Sequence, residues 1–141
     1  MRDTVKIIKQ SSDTQCDPYG ADSTVPVSGL IDTHCHLYEP DYDGIRDGLI
    51  CRLPKNGVEK LICVGCNIET TKQSIELSQK YDFIYAQAGF HPCDTSDITD
   101  EMWEQMQKLA AHPKVVAIGE IGLDYHWDSS PRDRQQYWFS R

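Results

Sequence analysis

No run in the 141-residue chain approaches the roughly 18 consecutive apolar residues of a membrane-spanning helix, so no membrane role is expected. Basic residues are scarce as well: 14 Lys and Arg stand against 22 Asp and Glu, a net charge of −8. Such a chain has no general electrostatic attraction to nucleic acid, and it would need bound cations to approach a polyanion. The opening stretch, MRDTVKIIKQSSDTQ, lacks the apolar segment of a secretory leader, which predicts a cytoplasmic protein. In a reducing compartment its six cysteines are expected as thiols rather than as a disulfide framework. The length predicts one ordinary domain. Hydrophobic residues, at 39%, suffice for a packed core, which argues against global disorder.

Residues 1–28 are polar and carry Gly, Pro, Ser and Asp without sustained periodicity, so they are expected to form a loosely ordered extension. Val5, Ile7 and Ile8 allow one short strand there. From Gly29 onward the texture changes. Short apolar runs at Gly29 to Asp32, Lys60 to Val64, Asp82 to Ala88 and Lys114 to Gly119 predict buried strands. Helical spacing fills the gaps, over Tyr42 to Arg52, Glu69 to Lys80 and Thr99 to Ala110, and a last helix is expected from Pro131 to Arg141. Strand and helix alternating four times is the pattern of a parallel sheet covered by helices. The strands are expected in sequential order with their C-terminal ends on one rim, where α/β proteins place their chemistry.

Each strand end was therefore read for reactive side chains. The first strand leads into Asp32-Thr33-His34-Cys35-His36, where alternation sends both imidazoles to one side, about 7 Å apart at Cβ. That is close enough to converge on one ion. Asp32 shares the face one step deeper, placed to orient a ligand, while Cys35 points the other way, beneath a helix. The third strand runs into Gly89-Phe90-His91-Pro92 and aims His91 at the same rim. After the fourth, Val116, Ile118 and Glu120 share a face, which sets a carboxylate above core residues, a costly position unless a cation meets it. Nitrogen and oxygen donors suit zinc, manganese or iron, and carboxylates with water admit magnesium.

Other residues read as structural. Cys63-Val64-Gly65-Cys66 lacks a second C-x-x-C pair and straddles a strand end, so both thiols are expected as small apolar filler. His112 is expected to cap a helix end, and His126 lies near the rim, within reach of substrate. Trp127, Trp138 and Phe139 are expected to pack.

Three segments in this order, Gly29-Leu30-Ile31-Asp32-Thr33-His34-Cys35-His36, Gly89-Phe90-His91-Pro92 and Gly119-Glu120-Ile121-Gly122-Leu123-Asp124-Tyr125, resemble the TatD family of metal-dependent hydrolases. The resemblance covers residues 29–141. It implies an α/β TIM barrel of the amidohydrolase type, of which this chain holds about the first four β/α units, a half-barrel. It further implies deoxyribonuclease activity with divalent metal (Mg, Mn or Zn), two ions in the complete enzyme, and DNA as substrate. His34 and His36 would bind one metal and Glu120 would bind or bridge metals, with a catalytic part. His91, Asp124 and Asp32 would lie beside the site or touch substrate. Family members take two further histidines and an aspartate from later strands, whereas no histidine follows His126 here. A full barrel takes about 250 residues, so the chain resembles the first half of such an enzyme, cut short. Weak metal affinity, little turnover and self-association through open sheet edges are expected. Three other readings share these residues: an aminoacyl-tRNA deacylase or other esterase using the same metal site, an inactive truncated chain or pseudoenzyme that binds only metal or a partner, and a histidinol-phosphatase-like enzyme. The Gly119 to Tyr125 segment argues against the last.

Overall fold

The computed structural model describes residues 28–141. The expected extension, apart from Ser28, and the short strand at Val5 to Ile8 lie outside them. Four strands, β1 (Leu30–Cys35), β2 (Val58–Val64), β3 (Ile84–Ala88) and β4 (Val115–Ile118), form one sheet in the order β1-β2-β3-β4. All three pairings are parallel, so every strand ends on the same rim. This is a half-barrel arrangement of β/α units.

The helices between the strands are α1 (Arg46–Arg52), α2 (Ile68–Lys80), α3 (Asp100–Ala110) and α4 (Arg132–Phe139). The first is shorter than its periodicity predicts. Gly44 adopts φ +81°, a left-handed conformation that interrupts a helix, and only a short 3-10 turn, Pro40–Tyr42, precedes it. In α2, Asn67 caps the N-terminus: its side chain accepts the Thr70 N–H at 2.9 Å, and the Thr70 hydroxyl accepts the Asn67 N–H at 3.0 Å. Thr71, Ser74, Ile75 and Ser78 form its buried stripe. The hydroxyls of Ser74 and Ser78 donate to the carbonyls of Thr70 and Ile75, so small polar side chains sit under the sheet without unpaired groups. Thr99 caps α3, as its spacing predicts.

Leu37, Ile50, Leu61, Cys63 and Ile84 make one buried cluster; Ala88, Phe90, Ile98, Met106 and Trp138 make another. Strand β3 alternates cleanly, with Ile84, Ala86 and Ala88 buried. Strand β4 departs from expectation. It ends at Ile118, its pairing with β3 slips near Val116, and Val116 and Ile118 are exposed, so Glu120 does not stand above a core face. Two aromatic expectations also fail. Trp138 packs beside Trp103 with ring centroids 6.0 Å apart, but Phe139, about 100° further round the helix, is exposed. Trp127 lies exposed in a loop, its ring roughly perpendicular to that of His126 with centroids 4.7 Å apart. His112 does not cap α3 with its side chain: Nδ1 accepts the Lys114 N–H at 3.2 Å, and Nε2 lies 3.2 Å from the Gln79 amide.

Candidate metal centre

His34 is the last residue but one of β1 and His36 lies one residue beyond its end. Their Nε2 atoms face each other 3.2 Å apart. Glu120 arrives from the far edge of the sheet. The chain after β4 turns back across the rim, where Gly119 donates its N–H to Ala88 (2.8 Å) and Glu120 donates to the Gly65 carbonyl at the end of β2 (3.1 Å). That crossing needs glycine. A Cβ on Gly89 would lie 2.5 Å from the Gly119 carbonyl carbon, and one on Gly119 would strike the Gln87 amide. The result is a carboxylate oxygen 3.9 Å from His34 Nε2, and one donor atom from each of His34, His36 and Glu120 within 4.8 Å of the other two.

The donor set fits a divalent ion. Ligands at about 2.0–2.1 Å around a tetrahedral ion stand about 3.3 Å apart, close to the separation of the two ε nitrogens. Burial, reinforced by the neighbouring His34, holds His36 below the usual imidazole range, which favours the neutral form a metal requires.

His91 meets the other side of the carboxylate, its Nε2 lying 3.7 Å from Glu120 Oε1. The Cys93 N–H donates to His91 Nδ1 (3.1 Å), so Nε2 of the neutral ring carries the proton and faces Glu120 as a donor. His91 also ties its loop to β2 by donating its own N–H to the Cys66 carbonyl at 2.9 Å. Asp32 Oδ1 accepts the His34 backbone N–H at 3.0 Å, so it holds the main chain that carries the His34 ring. Asp124 stays outside the cluster. Its carboxylate accepts N–H bonds from His126 and Trp127, which lower its pKa, with the Cys93 thiol 3.7 Å away. Its backbone is clamped by buried Gln135, which accepts the Asp124 N–H (2.7 Å) and donates to its carbonyl (2.9 Å). His126 is exposed beside it.

Two residues at the site were not singled out from the sequence. The Cys66 thiol donates to Glu120 Oε2 at 3.3 Å. Cys63 is core filler as expected, but Cys66 is not, because it lies past the end of β2 on the reactive rim. Burial pushes its thiol up to about 12, so it stays protonated. The Tyr38 hydroxyl lies 2.8 Å from His36 Nδ1 and 3.7 Å from Cys66 Sγ. The signal for Cys66 was available: it lies two residues past the end of a parallel strand, on the same rim as His36.

A family model described as TatD related DNase matches residues 31–141. The chain belongs to that family. It is 47% identical over 107 residues to the Bacillus subtilis protein named uncharacterized metal-dependent hydrolase YabD, covering 76% of this chain and 42% of that one. A protein of Cronobacter turicensis named 3'-5' ssDNA/RNA exonuclease TatD is 31% identical over 111 residues, covering 79% and 42%. The crystal structure of YjjV, a TatD homolog from Escherichia coli K12, superposes with a TM-score of 0.70 at 34% identity, over 79% of this chain and 44% of that one. The chain therefore spans under half the length of these TatD relatives, and its half-barrel corresponds to part of their fold.

Proposed function

We propose that residues 29–141 carry the first part of the catalytic rim of a metal-dependent phosphodiesterase acting on nucleic acid, in the manner of a 3'-5' exonuclease on single-stranded DNA or RNA. The observation that carries this reading is the convergence of His34 Nε2, His36 Nε2 and a Glu120 oxygen from opposite edges of the sheet. His34 and His36 would hold one divalent ion as neutral donors. Glu120 would supply the anionic ligand from the side that faces His34, with its other oxygen turned toward His91. Asp32 fixes the backbone beneath His34, and His91 lies beside the Glu120 carboxylate at 3.7 Å. A divalent ion held there would lower the pKa of its water and offset the charge of a phosphoryl group. With 22 acidic against 14 basic residues, attraction to a polyanion comes through that cation rather than through a lysine surface. Asp124 and His126, at the outer edge of the rim, are placed to meet the substrate. Five free thiols among the described residues suit the reducing cytoplasm, and no described helix is long and apolar enough to cross a membrane.

Titration of the chain with Mn(II) or Zn(II), beside a cleavage assay on single-stranded DNA, tests this. One ion should bind weakly, and His36→Ala or Glu120→Gln should lower affinity at least tenfold, with little DNA cleavage by this chain alone. Metal binding that is unaffected by both substitutions would overturn the assignment of the site.

A further inference from the structure

The chain of contacts around His36 and Glu120 has a direction. A carboxylate can only accept, so the 3.3 Å contact between Cys66 and Glu120 is a thiol S–H donating to Oε2. That leaves the Cys66 sulfur as an acceptor toward Tyr38, whose hydroxyl lies 3.7 Å away. A Tyr38 hydroxyl that gives its hydrogen to Cys66 accepts from His36 Nδ1 at 2.8 Å, whereas one that gave it to Nδ1 would leave the sulfur without a donor and the imidazole proton on Nε2. Each hydroxyl or thiol proton is thereby used once, and the sequence runs from His36 Nδ1–H through Tyr38 and Cys66 to Glu120. The imidazole that results has its proton on Nδ1 and a free lone pair on Nε2, the atom that faces His34 at 3.2 Å. Main-chain bonds hold the middle of the relay. The Cys66 N–H donates to the Thr70 hydroxyl at 2.8 Å, and the Cys66 carbonyl accepts from His91 at 2.9 Å.

We propose that Tyr38 and Cys66 are positioning residues that form a one-way donor relay, setting the His36 tautomer and the Glu120 orientation together. The proposal rests on the metal-site reading for its purpose, but the relay is a property of the chain's own hydrogen bonds. A ligating histidine commonly donates its second ring nitrogen to a fixed acceptor, and losing that partner costs about 10–100-fold in metal affinity. In this chain one relay serves two ligands borne at opposite edges of the sheet.

The test uses the 15N-labelled, metal-free chain, reading the imidazole nitrogens of His36 by long-range proton–nitrogen NMR at neutral pH, followed by Co(II) titration watched by its visible spectrum. The expected result is an Nδ1–H tautomer for His36. Tyr38→Phe removes the acceptor, and Cys66→Ala lets the Tyr38 hydroxyl turn and donate to Nδ1. Both should shift His36 toward Nε2–H, weaken Co(II) binding about 10–100-fold and alter the Co(II) spectrum. Cys66→Ser, which can still accept and donate, should restore the tautomer and most of the affinity. An Nε2–H tautomer in the unsubstituted chain would overturn the proposal, as would Tyr38→Phe and Cys66→Ala variants that keep its tautomer and affinity. The Nδ1–H tautomer, shifted by both variants and restored by serine, in a chain that binds no Co(II), would support the relay and overturn the metal-site reading instead.

Discussion

The two inner strands and the two outer strands of the sheet are built for different work. Strands β2 and β3 are paired on both sides and bury Leu61, Cys63 and Val64, and Ile84, Ala86 and Ala88. Strands β1 and β4 have one described neighbour each, and neither contains a buried residue. Ile31 is 59% exposed and Ile118 60%. Yet the candidate ligands stand on the outer strands: His34 and His36 at the end of β1, Glu120 just past β4. In a flat sheet, three strand spacings would hold them about 14 Å apart. They meet within 4.8 Å because the segment after Ile118 folds back over Gly89 and bonds to Gly65, at the end of β2. Stability resides in the middle of the sheet and chemistry at its margins, with the ends of β2 and β3 bridging the two.

Core truncation tests that division with the largest effect. Ile84→Ala should destabilise the chain by roughly 2–5 kcal/mol, whereas Ile118→Ala should change stability by no more than about 0.5 kcal/mol. Urea unfolding of both variants reads the difference, and equal losses would break the comparison. Next in size is the cap that seats the bridge. Asn67→Ala removes the acceptor for Thr70 N–H at the start of α2 and should cost about 1 kcal/mol in the same assay. Asn67→Asp, which keeps an acceptor at that position, should remain near the starting stability.

The inner region was also the more legible in the sequence. Apolar alternation at Ile84, Ala86 and Ala88 marks β3, and the four-fold strand–helix rhythm carries the parallel order. His34, His36 and His91 could be placed on the rim because a strand of known direction ends beside each of them. The course of Glu120 could not be derived that way. A period of two carries it upward from Val116 and Ile118, whereas the pairing slip and the fold-back after β4 take it sideways, and both depend on contacts with Gly89 and Gly65 that no local pattern encodes. Cys66 was hidden differently. Apolar filler is the usual fate of a cysteine at a strand end, and only the arrival of Glu120 from 54 residues away gives its thiol an acceptor.

The exposed margins lead to a third expectation. Leu30, Ile31, Val116 and Ile118 leave apolar surface on strands whose outer edges have no partner among the described residues, a combination that favours association. Placing lysine at both Ile31 and Ile118 should lower the weight-average mass seen by sedimentation, with a change in unfolding midpoint far smaller than that of Ile84→Ala. A concentration-independent monomer before substitution would show that these edges do not drive association.

The smallest effect belongs to a polar clasp between α1 and α2. Lys80 donates to Asp47 Oδ2 at 2.6 Å and the Tyr81 hydroxyl to Oδ1 at 2.7 Å. The ammonium of Lys80 and then the Tyr81 hydroxyl hold the Asp47 carboxyl below the usual carboxylate range, while the carboxylate holds Lys80 above its own. Because the folded pKa of Asp47 is depressed, its contribution is fully present above about pH 4, the unfolded value, and is lost as pH falls through the folded one. Because that of Lys80 is raised, the clasp persists until pH exceeds the ordinary lysine value near 10.4. Both groups are exposed, so screening keeps the gain small. Asp47→Asn should therefore lower the urea midpoint slightly at pH 7 in low salt, and the difference should fade both at pH 2 and in 1 M salt. A difference that persists unchanged at pH 2 would mean that Asp47 acts through packing or neutral hydrogen bonding. The clasp would then belong with the inner strands, whose contribution does not depend on charge.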